Sequence, residues 1–236
     1  DFQGSRGLGD VYKRQKLGNI FMYDSKGLIW KGREGLDKMK APYAVHKSNV
    51  DFQNAFKKAD VFLGLSKAGL VSKEMIASMA KNPIVFALAN PEPEISYKQA
   101  TATRKDIIMA TGRSDHPNQV NNVLGFPFIF RGALDVRATT INEEMKLAAV
   151  HAIAELAKET IPEEVIEAYG EKSISFGKEQ IIPKPLDPRL IYKVAPAVAK
   201  AAMDSKVAKE PITDWEKYEH KLKKRLGLDN KLLRDI

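Results

Sequence analysis

The residues best suited to hold a small polar ligand are carboxamides placed where apolar runs end. Ile84-Val85-Phe86-Ala87-Leu88 runs into Ala89-Asn90-Pro91, and Ile107-Ile108-Met109 runs into Ala110-Thr111-Gly112-Arg113. The second stretch continues through Asn118-Gln119-Val120-Asn121-Asn122, just ahead of an apolar segment. Asn and Gln carry a donor and an acceptor without charge, which suits gripping a carboxylate and an amide together. Asn90 precedes a proline, and the resulting bias toward extended backbone aims its side chain out of the sheet. Asn side chains also cap turns and helix starts, so the same residues have a purely structural reading.

Such residues need strands to present them. From Gly18 onward, short apolar runs alternate with helical patterns, the signature of βαβ units and a parallel sheet. The strands are Asn19–Tyr23, Ala59–Leu65, Ile84–Leu88 and Ile107–Met109. Helices are predicted over Phe52–Lys58, over Lys73–Lys81 with Met75, Ile76 and Met79 on one side, and around Tyr97–Thr103. Val123–Val136 reads as a buried helix with Pro127 in its first turn, where proline is tolerated. Thr140 and Glu143 form a T-x-x-E capping box that opens a helix through Lys158. Pro162, Pro183, Pro185 and Pro188 mark an irregular stretch. Arg189–Met203 is a helix with a kink at Pro196, and Trp215–Leu226 is a charged amphipathic helix with a solvated or subunit-facing surface. The fold class is α/β: an incomplete doubly wound, Rossmann-like parallel sheet with a C-terminal helical extension.

In such sheets, ligands bind at the carboxyl ends of strands. Asp24, in the turn Asp24-Ser25-Lys26-Gly27, is placed to accept hydrogen bonds from an adenosine ribose. Ser66, in the loop Ser66-Lys67-Ala68-Gly69, sits where its backbone approaches a cofactor; a plain strand-to-helix turn is the alternative. Gly7-Leu8-Gly9 is not a dinucleotide fingerprint, because no strand precedes it and Tyr12 occupies the third glycine position. His46, His151 and His220 lack zinc-ligand spacing. Arg113, Asp115 and Arg131 lie in apolar surroundings and call for internal pairing, since unpaired buried charge is costly.

The block from Phe86 to Met145 closely resembles the malic enzymes, in particular their short bacterial and archaeal form. The matching residues are Ala89-Asn90-Pro91, Ala110–Asp115, Pro117–Val123, Phe126–Asp135 and Ala138-Thr139-Thr140-Ile141-Asn142, and the likeness runs from about Asn19 to the C-terminus. His116 departs from the pattern, standing where the family usually has an aromatic residue. The resemblance implies oxidative decarboxylation of malate to pyruvate and carbon dioxide with reduction of NAD or NADP. It implies a Mg²⁺ or Mn²⁺ ion as Lewis acid, a lysine base and a tyrosine acid. It places Asn90 and Asn121, with Asn122 nearby, at the substrate next to the nicotinamide, with Asn90 and Asn121 converging on one cleft; the cofactor residues are then Asn90 and Asn121 together with Asp24 and Ser66, which their strand-end positions supply. Base, acid and metal ligands belong to the part of the family upstream of this chain. The chain is therefore expected to be a C-terminal fragment, inactive alone and homodimeric in the full-length enzyme. Two other readings are another nicotinamide-dependent dehydrogenase, against which the Asn-rich block argues, and a non-catalytic nucleotide-binding or interaction module.

The 236 residues, with no cysteine, allow neither disulfides nor a Cys-ligated metal. Net charge is +8, from 38 basic and 30 acidic residues. The basic residues are interleaved with acids and lack an aromatic-basic motif, which argues against nucleic acid. With no membrane-length apolar run and no signal peptide, a cytoplasmic location is expected. Residues 1–15 lack periodicity, and Asp10–Gln15 matches an in-frame translation of a transposase-type sequencing adapter; they read as a non-native scar or a disordered terminus. The expected organisation is then 16–160 as an NAD(P)-binding domain lacking its first strand and Gly-rich loop, and 161–236 as a helical extension packing on it.

Overall fold

The computed structural model describes residues 17–46 and 50–234, the side chains of Leu17 and of residues beyond 227 excepted. The expectation for residues 1–15 lies outside this range. The chain divides into two compact units, 1–112 and 113–236, and the expected domain boundary at 160/161 falls inside the second.

The first unit is built on three parallel strands, β3 (Val61–Gly64), β4 (Ile84–Ala87) and β5 (Ile108–Thr111), in that spatial order. Val61 pairs with Ile84, and Ile84 in turn with Ile108. Crossover helices α2 (Lys73–Ser78) and α3 (Tyr97–Thr103) join them, and α1 (Phe52–Ala55) precedes β3. Each helix starts at a side-chain cap: Asp51, Ser72 and Ser96 accept from the backbone N–H of Asn54, Met75 and Gln99. Alternation along the strands sends Val85, Ala87 and Met109 into a core with Met75, Ile76, Met79 and Ala100. Burying such side chains contributes roughly 1.5–3 kcal/mol each for the larger ones.

Two expectations need correction here. Strand β5 runs two residues beyond Met109, because Ala110 and Thr111 continue the ladder opposite Phe86 and Ala87 and are fully buried. The polar loop therefore begins at Gly112. The strand expected over Asn19–Tyr23 is absent. Leu17–Asn19 forms a 3₁₀ turn, and β1 (Tyr23–Asp24) pairs antiparallel with β2 (Gly27–Leu28). Gly27, with φ of +102°, closes the two-residue turn between them. Local hairpin chemistry thus overrides a short apolar run.

The second unit is helical: α4 (Phe126–Asp135), α5 (Glu143–Leu156), α6 (Glu163–Ala168), α7 (Arg189–Asp204) and α8 (Trp215–Arg234). Helix α7 forms its centre, with Leu190, Val194, Val198 and Ala202 fully buried among residues of α4 and α5. Gly132 lets α4 approach closely: a Cβ there would stand 2.4 Å from the Ala195 carbonyl oxygen. Helix α4 is half-buried rather than buried, with Phe126, Phe130 and Leu134 exposed on one stripe. Helix α5 is capped by Asn142, whose side chain accepts from Met145 N–H. Thr140 cannot do this, because the helix starts at Glu143, which is N1 and not the N3 residue a capping box requires. Helix α6 breaks the stretch expected to be irregular.

The anticipated pairings of charge are present. Arg113 Nε donates to Asp115 at 2.8 Å, and Arg131 Nε donates to Asp135 at 2.9 Å. Asp135 also accepts from the Tyr218 hydroxyl at 2.7 Å. An unforeseen pair, Asp187 with Arg189, is buried at the start of α7, where Arg189 also donates to Thr160 O at 2.8 Å.

Candidate functional site

At the carboxyl edge of the parallel sheet, β3 ends in Leu65–Gly69, β4 in Leu88–Pro91 and β5 in Gly112. Ser66 and Asn90 are both exposed there. The Asn90–Pro91 peptide bond is cis. The Asn90 carboxamide lies over Gly112, where a Cβ would stand 3.2 Å from Asn90 Oδ1. A Cβ at 112 would therefore press on this carboxamide, which would have to give by a few tenths of an ångström.

Beneath these loops lies Glu94, a residue that pattern reading passed over. It is fully buried. One carboxylate oxygen accepts from Ser66 N–H at 2.9 Å and the other from Ala89 N–H at 3.1 Å. Its carboxyl carbon occupies the space where a Cβ on Gly64 would sit, 2.4 Å away. The main chain adds to this: Gly69 N–H donates to Pro93 O and Val71 N–H to Glu94 O. An acid flanked by Pro93 and Ile95, both buried, was the one available signal.

Asp24 sits in the β1–β2 hairpin. Arg33 Nη2 donates to both its oxygens at 2.7 and 2.8 Å, Lys40 Nζ donates to one at 2.9 Å, and Lys26 N–H donates to the other at 2.9 Å. Three donor nitrogens make four bonds to a carboxylate with about four acceptor sites, so in this arrangement the group is saturated. Burial pushes the Asp24 carboxyl up, and the bonds from Lys40, Arg33 and Lys26 outweigh that effect and hold it at about 2.

Asn121 and Asn122 belong to the second unit and are exposed. Asn121 caps the 3₁₀ turn Asn122–Leu124, its Oδ1 accepting from Val123 N–H at 3.0 Å. Asn118 has a different task. It is buried, with φ of +55°, and its carboxamide donates to Lys178 O at 2.6 Å and accepts from Ile181 N–H at 2.8 Å. It fastens the carboxamide stretch to residues 178–181.

Neutral donors and acceptors at the ends of parallel strands match a dinucleotide site, and comparison with known proteins decides the family. The malic enzyme NAD binding domain matches residues 6–167, a span that begins inside the stretch set aside as non-native. The chain belongs to the malic enzyme family. It is 58% identical over 193 residues to the NADP-dependent malic enzyme of Halomonas elongata, covering 82% of this chain and 46% of that protein. It is 54% identical over 205 residues to a NAD-dependent malic enzyme of Rhizobium meliloti, covering 86% and 27%. Among solved structures, malic enzyme from Entamoeba histolytica superimposes with a TM-score of 0.79 at 34% identity, covering 95% of this chain and 46% of that one. The chain thus spans less than half the length of these relatives. Its three-stranded parallel sheet with crossover helices is a malic enzyme Rossmann-type domain, as the sequence reading anticipated.

Among the described residues, no group of three or more His, Asp and Glu gathers in a way that could hold a metal ion. Among those same residues, no helix is long and apolar enough to cross a membrane.

Proposed function

We propose that this chain supplies the nicotinamide-dinucleotide side of an enzyme that oxidatively decarboxylates malate to pyruvate and carbon dioxide. The observation that supports this reading is the pairing of exposed Ser66 and Asn90 at the carboxyl edge of parallel strands in a malic enzyme family chain. The dinucleotide, NAD or NADP, is the hydride acceptor. Ser66 offers a hydroxyl and Asn90 a carboxamide toward it. Asn90 offers its carboxamide to the nicotinamide amide and to a carboxylate of malate; Asn121 and Asn122, in the second unit, offer groups of the same kind. Carboxamides suit this task because each can donate to a carboxylate and accept from an amide. Asp24, saturated by its own cations, acts by holding Arg33 and Lys40 in place. The proton-transfer groups and the ligands of the divalent cation belong to other residues of the working enzyme. The working enzyme is a cytoplasmic homodimer in this reading.

The reading is tested on the purified 236-residue chain. Calorimetric titration should detect binding of NAD or NADP, weakened about fivefold to tenfold by Asn90→Ala, the value of one lost hydrogen bond or slightly more. Spectrophotometry should detect no malate-dependent reduction of either dinucleotide with Mg²⁺ or Mn²⁺. Absence of binding at millimolar dinucleotide refutes the cofactor assignment. Turnover above background refutes the assignment of acid, base and metal ligands to other residues.

A further inference from the structure

We propose that Glu94 is a positioning residue whose two carboxylate oxygens tie the loop after β3 to the loop after β4, so that Ser66 and Asn90 are presented as one unit. Its functional arm rests on the reading of this edge as a dinucleotide site.

The argument starts from what a fully buried carboxylate costs. A carboxylate removed from water needs partners that replace its hydration, and a buried acid is normally matched by a cation. Among the described residues, the partners of Glu94 are instead two backbone N–H groups, Ser66 and Ala89. These belong to different loops at the same edge of the sheet. One group that accepts in two directions is required to satisfy both. Glutamine has the same shape, but it would turn an NH₂ toward one of the two N–H donors. An aliphatic side chain would leave both donors without a partner, at the expense of buried polar groups left unmade.

The surroundings fix where the clamp can act. Gly64, the last residue of β3, has no Cβ where the Glu94 carboxyl carbon sits. The backbone of Pro93 and Glu94 accepts from Gly69 and Val71, so the same short segment holds the first loop at both ends. Leu88 N–H donates to Gly64 O at 3.0 Å and prolongs the β3–β4 ladder up to the clamp. Beyond that point the carboxylate joins the chain at Ser66 to the chain at Ala89, while the Gly69–Pro93 and Val71–Glu94 bonds hold the same two loops further along. Ala89, which it grips, is the residue immediately before Asn90. A clamp at this point sets the position of the exposed carboxamide and of the exposed Ser66 together, without itself reaching the ligand. Preorganisation of this kind conserves affinity by removing loop motion before binding.

The test is residue-resolved amide hydrogen exchange and dinucleotide titration on the 236-residue chain and its Glu94→Gln variant. Glu94→Gln should speed exchange at least about tenfold at whichever of Ser66 and Ala89 faces the new NH₂, leave Phe86 and Ala110 within about twofold, and weaken dinucleotide binding about tenfold, consistent with loss of a bond to a charged acceptor. Unchanged exchange at Ser66 and Ala89 overturns the clamp. Parallel acceleration at all four amides means that Glu94 merely supports the core, and this also overturns it. Local acceleration with unchanged dinucleotide affinity overturns the positioning role. If the wild-type chain binds no dinucleotide but the local acceleration is present, the clamp stands and the cofactor reading fails. If Glu94→Gln does not fold, the wild-type chain decides: one carboxylate governing both amides requires protection at Ser66, despite its exposure, within about threefold of that at Ala89. Rapid exchange at Ser66 alone overturns the proposal.

Discussion

Asn121 can be asked directly whether it serves the fold or a ligand, because the two tasks use different atoms. Its Oδ1 accepts from Val123 N–H at 3.0 Å and caps the 3₁₀ turn Asn122–Leu124. The cap is exposed, so water can replace the lost bond, and Asn121→Ala should cost about 0.5–1 kcal/mol, the lower end of the cap range. For a chain of this size that is a fall of about 1–4 °C in Tm. Asn121→Asp keeps an oxygen at the capping position and should leave Tm within about 1 °C, but it removes the amide donor. If that donor faces the nicotinamide amide, dinucleotide binding by Asn121→Asp should weaken about fivefold to twentyfold, the value of one or two hydrogen bonds. The assay is calorimetric titration with NAD and NADP beside thermal unfolding of the same samples. Wild-type affinity in Asn121→Asp, together with a lower Tm in Asn121→Ala, would refute the ligand role and leave a helix cap.

Two further predictions concern stability. Gly132→Ala would place a Cβ 2.4 Å from Ala195 O and 2.8 Å from Val198 Cβ. Overpacking of about 1–3 kcal/mol exceeds the gain of roughly 1 kcal/mol in helix propensity, so the urea midpoint of the second unit should fall; an unchanged midpoint would show that α4 and α7 separate freely. Asp24 is held at about 2, below an unfolded value of about 3.9, so its contribution is present above about pH 4 and is lost as pH falls toward 2. Asp24→Asn should lower Tm at neutral pH and flatten the acid dependence of Tm between pH 4 and 2; an unaltered slope would mean that the Arg33 and Lys40 bonds add nothing net.

Where local chemistry determines structure, the sequence could be read closely. Helix α3 spans Tyr97–Thr103 as expected, because a serine cap precedes it and a charged turn follows. Strand β4 is bounded by Pro83 and by the polar loop at Asn90. The errors lie where a distant partner decides. Ile20–Tyr23 looks like a strand of a parallel sheet, yet Tyr23 pairs across a tight turn. The apolar residues of α4 predict burial, but hydropathy does not say which stripe of a helix meets α7, and Phe126 and Leu134 face away from the core. Asn142 was hidden behind a threonine that satisfied the capping pattern with the wrong phase.

The site shows the same division in sharper form. Polar residues at the ends of apolar runs can be found from punctuation alone, and Ser66 and Asn90 do stand exposed at strand ends. The residue that holds them is buried, and its burial is set by Gly64, at the end of another strand. Asn118 repeats the lesson in the second unit. It lies in the same carboxamide run as Asn121 and Asn122, yet it is buried and fastened to residues 178–181, whereas the other two are exposed. Composition cannot separate these three asparagines. What separates them is which backbone groups need a partner once the chain is packed. Buried Asn118 commits both ends of its carboxamide to such groups, whereas exposed Asn121 commits its Oδ1 to Val123 N–H and keeps its amide donor accessible. On that criterion Glu94 and Asn118 are supports, and Ser66, Asn90, Asn121 and Asn122 remain the residues able to meet a ligand.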